Sequence, residues 1–332
     1  MSSAPKERPI LCAVCPKMCR IPPGFSGECR IRMNLDGALR AVTYGRPCAV
    51  HVDPMEKKPL FHFFPGETIL SVGTAGCNLH CKNCQNAEIS QGNPEDVPSY
   101  DLPPEEVPGL AKKHACRHVA YTYTEPMVSY EYTRDCCVKV REAGLRNVLV
   151  TAGYVNEKPL AALLPYVDAA NVDIKAMDDG FYREVCDATL EPVLRGILQM
   201  RAAGVHVEIT NLVIPTLNDS DALLDALCVW VRDRMGAETP LHFSRFFPRF
   251  KMAHLPPTPV ETLLRARERA RQAGLKHVYV GNAEVPDGET TFCAGCGGVL
   301  VARQRYVVRE NRVTKAGCCP SCGRLVSGVW AS

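Results

Sequence analysis

Between residues 68 and 282, short apolar runs alternate with helical stretches, and this alternation limits the fold more than any other feature. Strands are expected over 69–75, 118–123, 147–151, 169–175, 205–214, 241–246 and 277–280, and helices over 128–143, 159–167, 191–203, 220–235 and 260–273. Gly144, Gly204 and Gly274 follow three of those helices, where a residue free to turn left-handed closes the last turn. Repeated right-handed βα units predict a parallel sheet with function at the carboxyl ends of its strands. The expected fold class is α/β, a partial or complete (β/α) TIM-like barrel. Cysteine-rich appendages flank it: residues 1–66 form an N-terminal segment, 67–284 the core and 285–332 a ribbon-like module.

Composition bears mainly on the 18 cysteines. No apolar run approaches the ~18 residues of a membrane span. Residues 1–8 lack the apolar core of a signal peptide. A cytoplasmic chain is therefore expected, in which cysteines point to metal rather than disulfides. They fall into groups. Cys77, Cys81 and Cys84 form a C-x3-C-x2-C run directly after the first barrel strand. Three thiolates suit an iron–sulfur cube with one iron left open; the alternatives are chance spacing or a zinc knuckle completed by His80. Cys12, Cys15, Cys19 and Cys29 can close a zinc site or hold a second cluster, and spacing does not choose between them. Cys293, Cys296, Cys319 and Cys322 make two C-x2-C knuckles, a zinc-ribbon signature of structural type, with Cys318 as the spare.

The net charge of +3 is too mild to argue for nucleic acid. The ribbon arginines Arg303, Arg305, Arg309 and Arg312 raise that idea only weakly against an ordinary solvated face.

The C-x3-C-x2-C run after a strand resembles the radical S-adenosylmethionine (SAM) superfamily. The resemblance extends along the chain through Cys12-x2-Cys15-Pro-x2-Cys19, Tyr44-Gly-Arg46, the block 51–66 (HVDPMEKKPLFHFFPG), Cys84-Gln-Asn86, Tyr123-Thr-Glu-Pro126 and Gly328-Val-Trp330. Together these look like the AmmeMemoRadiSam-type proteins, relatives of pyruvate formate-lyase activating enzyme. The resemblance implies a [4Fe–4S] cluster on Cys77, Cys81 and Cys84 whose open iron chelates SAM. One electron from a flavodoxin or ferredoxin-like donor then yields a 5′-deoxyadenosyl radical that abstracts hydrogen from a substrate it does not identify. Memo-like and AMMECR-like protein partners follow by analogy, and no membrane is implied. Two departures stand out: Asn83 replaces the usual aromatic residue before the third cysteine, and Tyr123-Thr124 replace two glycines before Glu125.

The strand ends supply the remaining candidates for SAM contacts. Thr124 and Glu125 end the second strand; the local alternative makes Thr124 a helix N-cap with Pro126 in the first turn. Gly153 ends the third and permits close backbone approach. In the fourth, alternation puts Asp173 and Lys175 on one face, as a ligand pair or a structural ion pair. The resemblance implies the SAM ribose and adenine near the end of the fifth strand, at Asn211, and Arg245 in the sixth is named from its position at the mouth, with an ordinary solvated arginine as the alternative. Asn218 or Asp219 is expected to cap the helix that follows. A different class of reading is a non-catalytic iron–sulfur or zinc scaffold, or an electron-transfer protein, in which all the cysteines only hold metal.

Overall fold

A computed structural model describes residues 8–330. Its centre is a sheet of eight strands: β1 (Ala49–Pro54), β2 (Thr68–Gly73), β3 (His118–Tyr121), β4 (Arg146–Thr151), β5 (Ala169–Asp173), β6 (His206–Val213), β7 (Leu241–Arg245) and β8 (Val278–Gly281). They lie side by side in sequence order, with β1 and β8 as the two edges, so the barrel is partial. Neighbours from β2 to β8 are parallel, as expected. β1 is the exception: it pairs antiparallel with β2, from Ala49 opposite Gly73 to Pro54 opposite Thr68. It adds part of the N-terminal segment to the core sheet.

The strands read as near-continuous apolar runs because both faces are covered; Val119, Val148, Leu149, Ala170, Val172, Ile209 and Phe243 are fully buried. The five expected helices are present. Gly144, Gly204 and Gly274 end three of them at φ of 75°, 80° and 100°. One helix, Val107–Lys113, escapes a propensity reading because Pro108 and Gly109 disguise it. Pro108 is tolerated there because the first turn has no intrahelical partner for an N–H. Ser220, rather than Asn218 or Asp219, caps Asp221–Trp230, accepting from Leu223 N. Asn218 turns inward instead, its Oδ1 accepting from Ile214 N at 2.6 Å and its Nδ2 donating to Lys175 O at 2.6 Å.

The chain between β1 and β2 packs Met55, Leu60, Phe63 and Phe64 against Ile69, Ala120, Val148 and Ala169. Buried Glu208 on β6 receives the Phe61 and His62 backbone N–H groups at 3.0 and 2.7 Å, and lies 2.7 Å from His242 and 3.0 Å from His206. Burial alone would raise its carboxyl, but the two imidazoles hold it well below the usual range.

The C-terminal module is a three-stranded sheet of Thr291–Phe292, Val299–Gln304 and Val307–Asn311. Arg303 anchors it to the core: fully buried, it pairs with Glu56 at 3.4 Å and donates to Phe61 O at 2.6 Å and Thr291 Oγ1 at 2.8 Å. Of the four arginines read as a ribbon face, Arg303 is thus interior. Arg305 and Arg312 pair with Glu284 and Glu310, and Arg309 donates to Gln304. Among the described residues no helix is long and apolar enough to cross a membrane.

Candidate active site

The cysteine loop leaves β2 through Gly76, at φ +85°, where an added Cβ would stand 2.5 Å from Cys29 O and 2.6 Å from Ile31. Only glycine fits that turn. Cys77, Cys81 and Cys84 then line a cavity of about 540 Å³. Its other walls come from Lys58, from Glu125 after β3, from Asp173 and Lys175 at β5, and from Gly281 and Asn282 at β8. Contributions from strands across the whole sheet reach one cavity because the sheet curls around it.

The three thiols fit a cluster better than a single ion. A tetrahedral zinc with Zn–S of about 2.3 Å sets its sulfurs about 3.8 Å apart. Among the described residues, Cys77, Cys81 and Cys84 do not gather within 4.8 Å of one another, as the C-terminal four do. Nor is His80 a fourth ligand. Its Nδ1 meets Asp187 at 2.9 Å and its Nε2 meets Glu28 O at 3.3 Å. Glu28, His80 and Asp187 lie close together, but Lys17 bridges the two carboxylates at 2.8 and 2.7 Å, so an ammonium already stands between them.

Glu125 is the most perturbed carboxyl on the cavity. It is buried and accepts from Thr151 Oγ1 at 2.8 Å, Ala152 N at 2.8 Å and Met127 N at 3.1 Å. Burial pushes its carboxyl up to about 7 against the pull of those donors. It also caps the 3-10 turn Pro126–Ser129, a role expected of Thr124. Thr124 lines the cavity and donates to Thr74 O at 2.8 Å. Lys175 Nζ lies 2.6 Å from Asp173 Oδ2. Burial alone would lower the Lys175 ammonium, but the Asp173 carboxylate beside it holds it well above its ordinary value.

Gly153, Asn211 and Arg245 are not among the residues that line the cavity. Gly153 (φ +67°) faces Val172 and the helix carrying Gly196, where a Cβ would meet Gly153 O at 3.0 Å; it makes helix–sheet packing possible rather than lining the cavity. Asn211 is buried behind the wall, donating to Ile174 O at 2.8 Å and Lys175 O at 3.2 Å, so it positions Lys175. Arg245 alternates away from the cavity that Ser244 lines; it donates to Thr258 O at 2.8 Å and stacks over Phe247.

Sequence reasoning missed a polar wall from the block 51–66. Asp53 accepts from Lys57 at 2.8 Å, Lys58 at 2.7 Å, Ser71 at 2.8 Å and Tyr123 at 2.6 Å. Burial would raise its carboxyl, yet these donors hold it far below the ordinary range. Lys58 and Tyr123 face the cavity, as do Asn83 and, from the C-terminal module, Glu289 and Tyr306. The density of charge in Asp-Pro-Met-Glu-Lys-Lys was the available signal.

The other cysteine groups separate by geometry. Cys293 and Cys322 sulfurs lie 3.6 Å apart, Cys296 and Cys319 3.7 Å apart, and all four within 4.8 Å, which is zinc-like spacing. Cys318 stands outside that set. Cys12, Cys15, Cys19 and Cys29 line one small cavity of their own.

Comparison with known proteins follows the same division. Residues 71–227 match the radical SAM superfamily model. An uncharacterized protein of Methanocaldococcus jannaschii, MJ0808, is 44% identical over 97% of this chain and 96% of its own length. The isethionate sulfite-lyase activating enzyme of Nitratidesulfovibrio vulgaris is 26% identical over 33% of this chain, and the chain spans only 36% of that enzyme. Benzylsuccinate synthase activating enzyme of Thauera aromatica is 26% identical over 37% of each. In fold, the chain is similar to a radical SAM methyltransferase from Sphaerobacter thermophilus, with TM-score 0.52, 17% identity and coverage of 71% of both chains. With a cysteine loop at the carboxyl edge of a curled parallel sheet, and the superfamily model matching over it, residues 71–227 of the chain form a radical SAM domain.

Proposed function

We propose that this protein reductively cleaves SAM and uses the resulting radical to remove hydrogen from a substrate. The observation that carries the proposal is the meeting of Cys77, Cys81, Cys84, Glu125, Asp173 and Lys175 on one cavity. Cys77, Cys81 and Cys84 would hold a [4Fe–4S] cluster, which when bound with SAM and given one electron supplies a 5′-deoxyadenosyl radical. The rest belongs to the chain. Glu125, ionised, offers the SAM ammonium a buried anionic partner; Lys175 offers its carboxylate a cation, and Asp173 orients that cation. Asn211 and Asn218 fix the Lys175 backbone. Tyr306 and Glu289 make the C-terminal module part of the wall, which limits water at the reacting centre.

The electron would come from a flavodoxin or ferredoxin-like donor. Similarity to activating enzymes favours a protein substrate in which a glycyl radical is formed; Memo-like or AMMECR-like proteins are partners in the same reading. The four ribbon thiolates would hold structural zinc, closed to chemistry because no ligand position is left open.

The test is anaerobic reconstitution with iron, sulfide, SAM and dithionite, followed by assay for 5′-deoxyadenosine. The proposal expects production that Cys77→Ala abolishes. Equal amounts from both proteins would refute it and leave the metal-scaffold reading.

A further inference from the structure

The N-terminal arm gathers four cysteines around a small cavity of its own, apart from the one that Cys77, Cys81 and Cys84 line. Cys12 and Cys29 are buried, Cys15 and Cys19 half-buried, and all four line one cavity together with Val14, Ile21, Met127 and Val128. Two observations bear on what that cavity takes.

The first is sulfur spacing. The C-terminal cysteines show how this chain builds a site for one ion: four sulfurs within 4.8 Å, with pairs at 3.6 and 3.7 Å. The N-terminal four surround a common space, yet among the described residues they form no such set. A single zinc needs its sulfurs on the corners of a small tetrahedron. A four-iron cluster takes one thiolate at each of four separated irons, so its ligands stand apart around a space.

The second is what has been placed against those sulfurs. Arg32 is buried, and its Nε donates to Cys12 Sγ at 3.2 Å. Its other nitrogens grip Glu131 at 2.6 and 2.9 Å, which fixes the guanidinium toward the sulfur. A buried N–H donor to a cysteine sulfur stabilises the anionic charge of a thiolate-ligated cluster. Gly27 keeps the space open: a Cβ there would lie 3.4 Å from Cys19 Sγ and 3.2 Å from Ile21 Cδ1. The arm is also held rigid, as metal ligands require. Cys12 N donates to Cys19 O at 2.8 Å, and Asn156 Nδ2 donates to Ala13 O and Cys15 O at 2.9 and 3.0 Å.

We propose that Cys12, Cys15, Cys19 and Cys29 bind a second four-iron, four-sulfide cluster, with every iron ligated by the chain. With no iron open, this site does not bind SAM, and its chemistry is confined to holding an electron. It adjoins the first site: Asn78, next to Cys77, lines the same small cavity, and Gly76 packs on Cys29. The inference does not depend on SAM cleavage at Cys77.

The test uses the full chain carrying Cys77→Ser, Cys81→Ser and Cys84→Ser together, reconstituted without oxygen and analysed for iron, sulfide, zinc and Mössbauer spectrum. The proposal expects about four irons and four sulfides per chain, a cubane spectrum, and zinc at about one per chain, against about eight irons in the unsubstituted protein. Cys12→Ser with Cys15→Ser added to that variant should remove the remaining cluster. Zinc near two per chain with no iron in the triple variant would overturn the proposal, as would iron that survives the N-terminal substitutions. If the five-fold variant does not fold, the spectrum and zinc content of the triple variant decide alone. Iron content equal in the triple variant and the unsubstituted protein, at about four, would support this site while removing the cluster at Cys77.

Discussion

Glu125→Gln should change the way stability depends on pH, by an amount the structure allows to be worked out. A carboxyl that ionises near 7 in the fold and near 4.5 when unfolded binds its proton more tightly in the native state. Stability from this group is therefore lost as pH rises from the lower value through the upper one. Charging it costs the fold about 3 kcal/mol in all, of which about 2 kcal/mol falls between pH 5.5 and 8. Glutamine carries no such charge. It also loses part of the hydrogen bonding from Thr151, Ala152 and Met127, but that loss is the same at both pH values and cancels in the comparison. Urea unfolding of both proteins at pH 5.5 and 8 should show the unsubstituted protein losing about 2 kcal/mol more than Glu125→Gln as pH rises. The uncompensated charge is useful only if a cation arrives to meet it, so the variant should also bind SAM at least about 30-fold more weakly at pH 8. Parallel pH curves, or unchanged SAM affinity, would refute the assignment of Glu125 as a buried anionic partner.

Other substitutions test separate parts of the account. Tyr123→Phe removes one of four donors to Asp53 and should cost about 1.5–3 kcal/mol, read by chemical denaturation, while Lys58 and Ser71 keep Asp53 in place. Gly153→Ala forces a side chain into φ +67° and to 3.1 Å from Val172, and should destabilise by about 1–3 kcal/mol; its cost should appear in stability and not in SAM affinity measured by calorimetry. Cys296→Ser should lower zinc by about one per chain and expose the hairpin Val299–Asn311 to limited proteolysis.

Much of the core was legible because its signals are local. Gly144, Gly204 and Gly274 mark helix ends by backbone chirality alone, and the C-x3-C-x2-C loop follows directly on an apolar strand. Elsewhere tertiary contacts decide. One residue of alternation separates a wall position from its back: Thr210 and Leu212 line the cavity and Asn211 does not, just as Ser244 does and Arg245 does not. Position near a strand end is therefore weaker evidence than parity along it. The pairing of β1 with β2 depends on how the chain from Met55 to Glu67 folds back, which no local pattern encodes. The Asp53, Lys58 and Tyr123 network joins residues 70 apart in sequence, so only the assembled fold reveals it. Arg303 looked like a surface charge; its burial against Glu56 follows from docking of the ribbon on the core.

The central claim concerns an iron at the cysteine loop that side chains leave free for SAM. The most direct measurement is electron paramagnetic resonance of the dithionite-reduced protein carrying Cys12→Ser and Cys15→Ser, recorded with and without SAM. The account predicts a reduced [4Fe–4S] signal whose g-values move when SAM is added, and which disappears with Cys84→Ser. A signal indifferent to SAM, or a loop loaded with zinc and no signal at all, would contradict it.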